Sequence, residues 1–142
     1  MDRALTAAER HVSAFNRHDL EAHKDNETTD VQWTQPGISI EGRESVAALQ
    51  EALWTAFPDA RIDLVKRLAG GDTVMSEEVL SGTHTGPFLT PAGILPATGR
   101  AIRMPFVTVQ RVRGGKIAAE RIYFDQLDFL RQLGVDPAGL AG

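Results

Sequence analysis

The chain contains no cysteine among its 142 residues. A disulfide framework and a thiolate metal site are therefore excluded. Lysine is scarce, at three residues against twelve arginines, and acidic residues outnumber basic ones to leave a formal charge of −4. No basic stripe is present, so a nucleic-acid-binding role is not expected. Uninterrupted apolar runs are all far too short to span a bilayer. The opening "MDRALTAAERH" lacks a basic start followed by an apolar block, so no signal or transit peptide is expected. No repeat, low-complexity segment or linker divides the chain. The natural expectation is one cytoplasmic globular domain over residues 1–142, its core supported by 42% hydrophobic content.

The residues that are present punctuate the chain clearly. Leu5, Ala8, Val12 and Phe15 share one helical face, with Thr6 and Glu9 as a capping-box pair. A second short helix is expected near Leu20, and the polar run "HKDNETTD" favours turns. Two short strands follow in "VQWTQPG" and "ISIE", and Val46, Leu49, Leu53 and Phe57 mark a further helix that Pro58 stops. Three long strands are expected at about residues 60–68, 74–84 and 101–112, with residues 85–99 between the last two as a Gly/Pro-rich loop. "RGGK" is a hairpin turn that returns the chain through "KIAAERIYFD" to a last short helix. Segregated helices and strands indicate an α+β fold: a curved, mainly antiparallel sheet wrapped around N-terminal helices as a cone.

With Gly114 and Gly115 as the turn, Asp125 is expected opposite Met104, Tyr123 opposite Phe106 and Arg121 opposite Thr108. Arg121, Tyr123 and Asp125 then form one row of the last strand, and Ile122 and Phe124 line the other face. Both faces carry apolar residues, so a second covering is expected: another copy of the chain, making a homodimer through the β-sheet face, with the C-terminal tail as the alternative cover. The other chemistry-bearing residues are few. His11, His18 and His23 lie where the helical pattern breaks and read as solvated or capping residues, with no metal-binding spacing. No nucleophile elbow exists, and Glu77 and Glu78 alternate in a strand and do not pair. His84, in "GTHTG", is either a ligand-facing residue or an ordinary strand end. Trp33 and Gln35 share one face of an early strand, where the indole could wall a flat ligand. Asp125 supports two readings. It is a good N-cap for the last helix, with Asp128 in the first turn, and it is also a carboxyl that Met104, Phe106 and Tyr123 would partly desolvate, raising its pKa towards a useful range.

"GTHTGPF…LPATGR" and "VQRVRGGKIAAERIYFDQLDFLRQLG", with the earlier "FNRHDLEA" and "VQW", resemble the SnoaL-like polyketide cyclase (ester cyclase) family of the nuclear-transport-factor-two-like superfamily. The resemblance implies a cone-shaped α+β barrel, commonly a homodimer, that works without a cofactor in secondary metabolism such as antibiotic biosynthesis. It implies that Asp125 is the acid/base of an intramolecular aldol-type ring closure on a polyketide ester or a similar hydrophobic carbonyl compound, and His84 is the catalytic candidate that the residues themselves add beside it. Trp33, Gln35, Met104, Phe106, Arg121 and Tyr123 would then bind the substrate. A cofactor-free hydroxylase, an isomerase and a non-catalytic binding protein share the fold and stay open as alternatives.

Overall fold

A computed structural model of the chain describes residues 2–90 and 92–136. Helix α1 (Arg3–Asn16) starts one turn earlier than the Thr6–Glu9 pair indicates, because the Asp2 carboxylate accepts the Ala4 and Leu5 amides. Its buried stripe is Ala4, Ala7, Ala8, His11, Ala14 and Phe15, the spacing of a single helix face. Helix α2 (Leu20–Asp25) follows, capped by Asp19. Strand β1 (Glu27–Gln35) then begins inside the polar run that reads as turns. Tertiary pairing overrides that local preference, since β1 is hydrogen-bonded on both edges.

After β2 (Ile38–Glu41) and α3 (Arg43–Ala56), the chain forms the long strands β3 (Arg61–Gly70) and β4 (Thr73–Thr83). The expected loop at 85–99 holds a small hairpin of its own, β5 (Phe88–Thr90) with β6 (Gly93–Leu95). Strands β7 (Ala101–Arg113) and β8 (Lys116–Phe124) and helix α4 (Gln126–Gln132) complete the order. The main sheet runs β2-β1-β8-β7-β4-β3, antiparallel except where β1 and β8 run parallel. It is the expected α+β cone, with α1 and α3 packed against the curved sheet. Two apolar clusters hold it together. One is built on Phe15, Phe57, Met104, Phe106 and Phe129, the other on Val31, Trp33, Val74 and Ile117.

One detail of the sheet decides where the site lies. Gly114 and Gly115 form the turn with positive φ at both, as expected. The ladder then slips between Arg111 and Val112: Val112 faces Ile117, but Arg111 faces Ala119. Ala118 is the extra residue, a bulge of the kind that shifts everything beyond it by one place. Phe124 therefore faces Phe106, Tyr123 faces Val107 and Arg121 faces Val109. The expected register is off by one, and a one-residue shift exchanges the faces. Glu120, Ile122 and Phe124 point into the cone, while Arg121 and Tyr123 are exposed on its convex side.

Candidate active site

The cone encloses a cavity of about 440 Å³, within the range that takes a small organic ligand. Its walls are mostly apolar. Phe15 comes from α1, Leu49 and Leu53 from α3, Met104 and Phe106 from β7, and Phe129 from α4. The β5–β6 hairpin adds Phe88, Leu89 and Leu95. No lysine or arginine lines it among the described residues. Polar groups come from a few positions, His11, Gln50, Glu78, Thr108 and Glu120 chief among them.

Each of these follows from strand or helix alternation. His11 is the polar member of the buried α1 stripe, four residues from both Ala7 and Phe15. Glu120 occupies the inward row of β8 with Ile122 and Phe124, and Glu78 that of β4 with Val74, Ser76 and Leu80. Thr108 and Gln110 interrupt the inward row of β7. Glu120, Glu78 and His11 are each at most 5% exposed.

Glu120 Oε1 lies 3.5 Å from His11 Nε2 and accepts a hydrogen bond from Gln110 Nε2. Burial pushes the Glu120 carboxyl well above the usual carboxylate range. Gln110 opposes that rise, and the charges of Glu78 and Glu27 add to it. Burial also drives His11 well below its ordinary value, and His23 and Arg67 lower it further. Desolvation thus moves the two groups in opposite directions, disfavouring the charged form of each. Behind the pair stand His23 and Glu27, both fully buried. Their rings and carboxylate continue the contact, with 4.8 Å between the His11 and His23 ring centres and 3.5 Å from His23 Nδ1 to Glu27 Oε1. Among the described residues no group of three or more His, Asp or Glu could hold a metal ion.

The residues singled out from the sequence divide into two groups. Trp33, Gln35, Met104 and Phe106 line the cavity, with the Trp33 indole N–H donating to Gln35 Oε1 at 2.9 Å. Arg121, Tyr123, Asp125 and His84 do not line it. Arg121 and Tyr123 face outward because of the Ala118 bulge. Asp125 lies past the end of β8, exposed, and its Oδ1 accepts the Asp128 amide 2.9 Å away as the cap of α4. His84 is buried between Phe57 and Phe88, and its Nδ1 meets the Thr98 hydroxyl at 2.9 Å. It fastens the start of the 85–99 segment to its end. His11 and His23, read as solvated or capping, are buried instead. His11 falls on the apolar face once the expected α1 stripe is rotated by one residue, a signal available in the sequence, whereas His23, the one buried residue of the short helix α2, carries no such pattern.

An α+β cone with an apolar pocket and a few buried titratable groups defines a class of small-molecule-handling proteins. Within it, residues 5–133 match the SnoaL-like polyketide cyclase family, and the chain belongs to that family. Among solved structures, a candidate SnoaL-like polyketide cyclase from Jannaschia sp. CCS1 shares 21% identity and superposes with a TM-score of 0.83, over 95% of this chain and 94% of that one. IdmH, a candidate polyketide cyclase from Streptomyces antibioticus, shares 26% identity with a TM-score of 0.78, over 94% and 100% of the two chains. AclR, a candidate hydroxylase from Streptomyces galilaeus, shares 23% with a TM-score of 0.79, over 94% and 86%. No curated protein matches the chain. Among the described residues no helix is long and apolar enough to cross a membrane.

Proposed function

We propose that this chain is a cofactor-independent acid–base catalyst that closes a ring in a small hydrophobic carbonyl compound, with Glu120 and His11 as its working pair. The observation that carries the reading is the 3.5 Å contact between these two side chains at an apolar cavity, their pKa values pushed in opposite directions. Two titratable groups separated in this way are the usual mark of an acid and a base with assigned roles. Family membership and the neighbours named as polyketide cyclases support the reaction class.

The steps balance within the pair. Neutral His11 takes the proton from a carbon beside a carbonyl, and the electron pair left on that carbon attacks a second carbonyl of the same molecule. A carbon–carbon bond forms, the attacked carbonyl's π pair moves to its oxygen, and Glu120 gives that oxygen its proton. His11 then returns its proton to Glu120 across their contact, which restores both groups. Asp125, placed as a cap on the surface, is not assigned a step. The cavity wall holds the chain folded, and such positioning supplies the rest of the acceleration.

The first step can be tested without the natural substrate. In deuterium oxide, an enolisable bicyclic ketone such as 2-tetralone should exchange its α-hydrogens faster in the presence of the protein, as read by proton NMR. His11→Asn should slow that exchange by about 10²–10⁴-fold, whereas Glu120→Gln, which acts only at the later protonation of the attacked carbonyl, should slow it far less. The rate should rise with pH where His11 loses its proton, below the ordinary 6.5. Exchange no faster than in buffer, or unaffected by His11→Asn, would refute the assignment. We further propose that the protein is a homodimer joined through the convex face of the sheet. Leu68, Met75 and Tyr123 are all exposed there, with half-buried Val107 and Val109 beside them.

A further inference from the structure

The proposed reaction leaves one buried carboxyl of the cavity unused. Glu78 is 2% exposed and lines the pocket from β4, two strands from Glu120. Its Oε1 receives only a long hydrogen bond, 3.4 Å, from the Thr108 hydroxyl, and its Oε2 is buried with no hydrogen-bond partner. No lysine, arginine or histidine lies within ion-pairing distance of it among the described residues. Arg67 reaches the neighbouring Ser76 Oγ instead, at 3.0 Å. A buried acceptor without a donor is costly, by an amount comparable to a lost hydrogen bond or more. A ligand group that supplies the donor recovers that cost, and one that cannot leaves it in place.

We infer that Glu78 is a specificity residue of this cavity, which accepts a hydrogen bond from a hydroxyl on the buried end of an uncharged, flat ligand. The inference rests on the reading of the cavity as a substrate site and sharpens it from a hydrophobic carbonyl compound to a hydroxylated one. Anionic ligands are selected against twice: the wall offers no lysine or arginine, and the Glu78 carboxyl faces the space. Burial also raises Glu78 to about 6, with Arg67 and Thr108 opposing the rise. Around neutral pH it is therefore largely an ionised acceptor, and hydrogen bonds to such acceptors are the strong ones.

Matched probes read this directly. The affinities of 2-naphthol and its methyl ether are measured by fluorescence titration at about pH 7.5, above the usual carboxylate range. The wild type should prefer the naphthol by roughly ten- to a hundredfold, the ratio expected of one hydrogen bond to a charged group. Glu78→Leu should bring the ratio close to one while the methyl ether still binds. Glu78→Gln keeps the shape and one acceptor oxygen and should reduce the ratio severalfold. If circular dichroism shows that the leucine variant is unfolded, the glutamine variant decides alone. An unchanged ratio in the folded variants, or none in the wild type, overturns the inference and leaves the acid–base reading standing. A naphthylmethylammonium probe that binds more tightly than naphthol, through Glu78, overturns the hydroxyl in favour of a cation. Binding of no probe overturns the cavity reading as well. Because turnover is not measured, failure of the Glu120–His11 reaction would not mimic any of these results.

Discussion

Glu120 and Asp125 are five residues apart and show how strongly environment sets what a carboxyl can do. Glu120 is enclosed by protein, with Gln110 as its donor and His11 as its neighbour. Asp125 is in water, and its visible task is to hold the Asp128 amide. Asp125→Asn keeps a competent cap and should leave stability and α-hydrogen exchange nearly unchanged. Asp125→Ala should lose about 1 kcal/mol of stability in urea titrations, again with exchange intact. A large loss of exchange in the folded Asn variant would return the acid to the strand end. Sequence reading reached both possibilities for Asp125 but could not choose between them, because the choice depends on which face of β8 looks inward. Ala118 settles that face, and nothing in "GKIAAER" marks a bulge. The same uncertainty hid Glu120. Had the register been known, a glutamate in line with Ile122 and Phe124 would have been conspicuous, as would Glu78 in line with Val74 and Leu80.

At the level of elements, the long strands and the Gly114–Gly115 turn were legible because alternation and glycine pairs are local signals. The β5–β6 hairpin was not, since its three-residue strands are too short to carry a pattern. What fixes that segment is long-range. His84 holds Thr98, the Gly99 amide donates to the His84 carbonyl, and the Gly86 amide donates to Ala56 at the end of α3. Gly86 sits so close that a Cβ there would lie 2.0 Å from the Thr55 carbonyl oxygen. Backbone cannot yield as a flexible side chain can, so the segment or the helix end must move. Gly86→Ala should therefore destabilise the fold by about 1–3 kcal/mol, the range for an overpacked contact. Since Phe88, Leu89 and Leu95 wall the cavity, the naphthol affinity should weaken in the same variant. An unchanged urea midpoint would mean that the segment does not rest on α3. Gly82, whose added Cβ would meet Phe57 at 3.2 Å, marks the same close approach of this region to the end of α3.

At the level of the whole molecule, one face of the sheet encloses the cavity and the other carries an apolar patch among charged residues. On the convex face, the register sets Leu68, Met75, Val109 and Arg121 side by side across four strands, with Lys66, Glu77, Val107 and Tyr123 in the next row. Antiparallel sheets commonly solvate such a face, and solvated faces are normally polar. Here the exposed Leu68 and Met75 adjoin Val109, so the apolar groups are contiguous and not scattered. The C-terminal tail that was the other expected cover, residues 137–142, lies outside the described residues. Self-association is the economical cover for a face of this kind, because a two-fold axis makes one patch serve both partners. Sedimentation equilibrium at micromolar concentration should give two chains per particle. Met75→Glu combined with Val109→Glu would bring like charges onto adjoining strands and opposite their symmetry mates, and should yield monomers that keep the cavity and bind naphthol as before. A monomeric wild type would remove the dimer and leave the row of Met75 and Val109 as plain exposed surface. Monomers that lose naphthol affinity would show that the two faces of the sheet are coupled, with assembly on the outside needed to hold the curvature that shapes the site within.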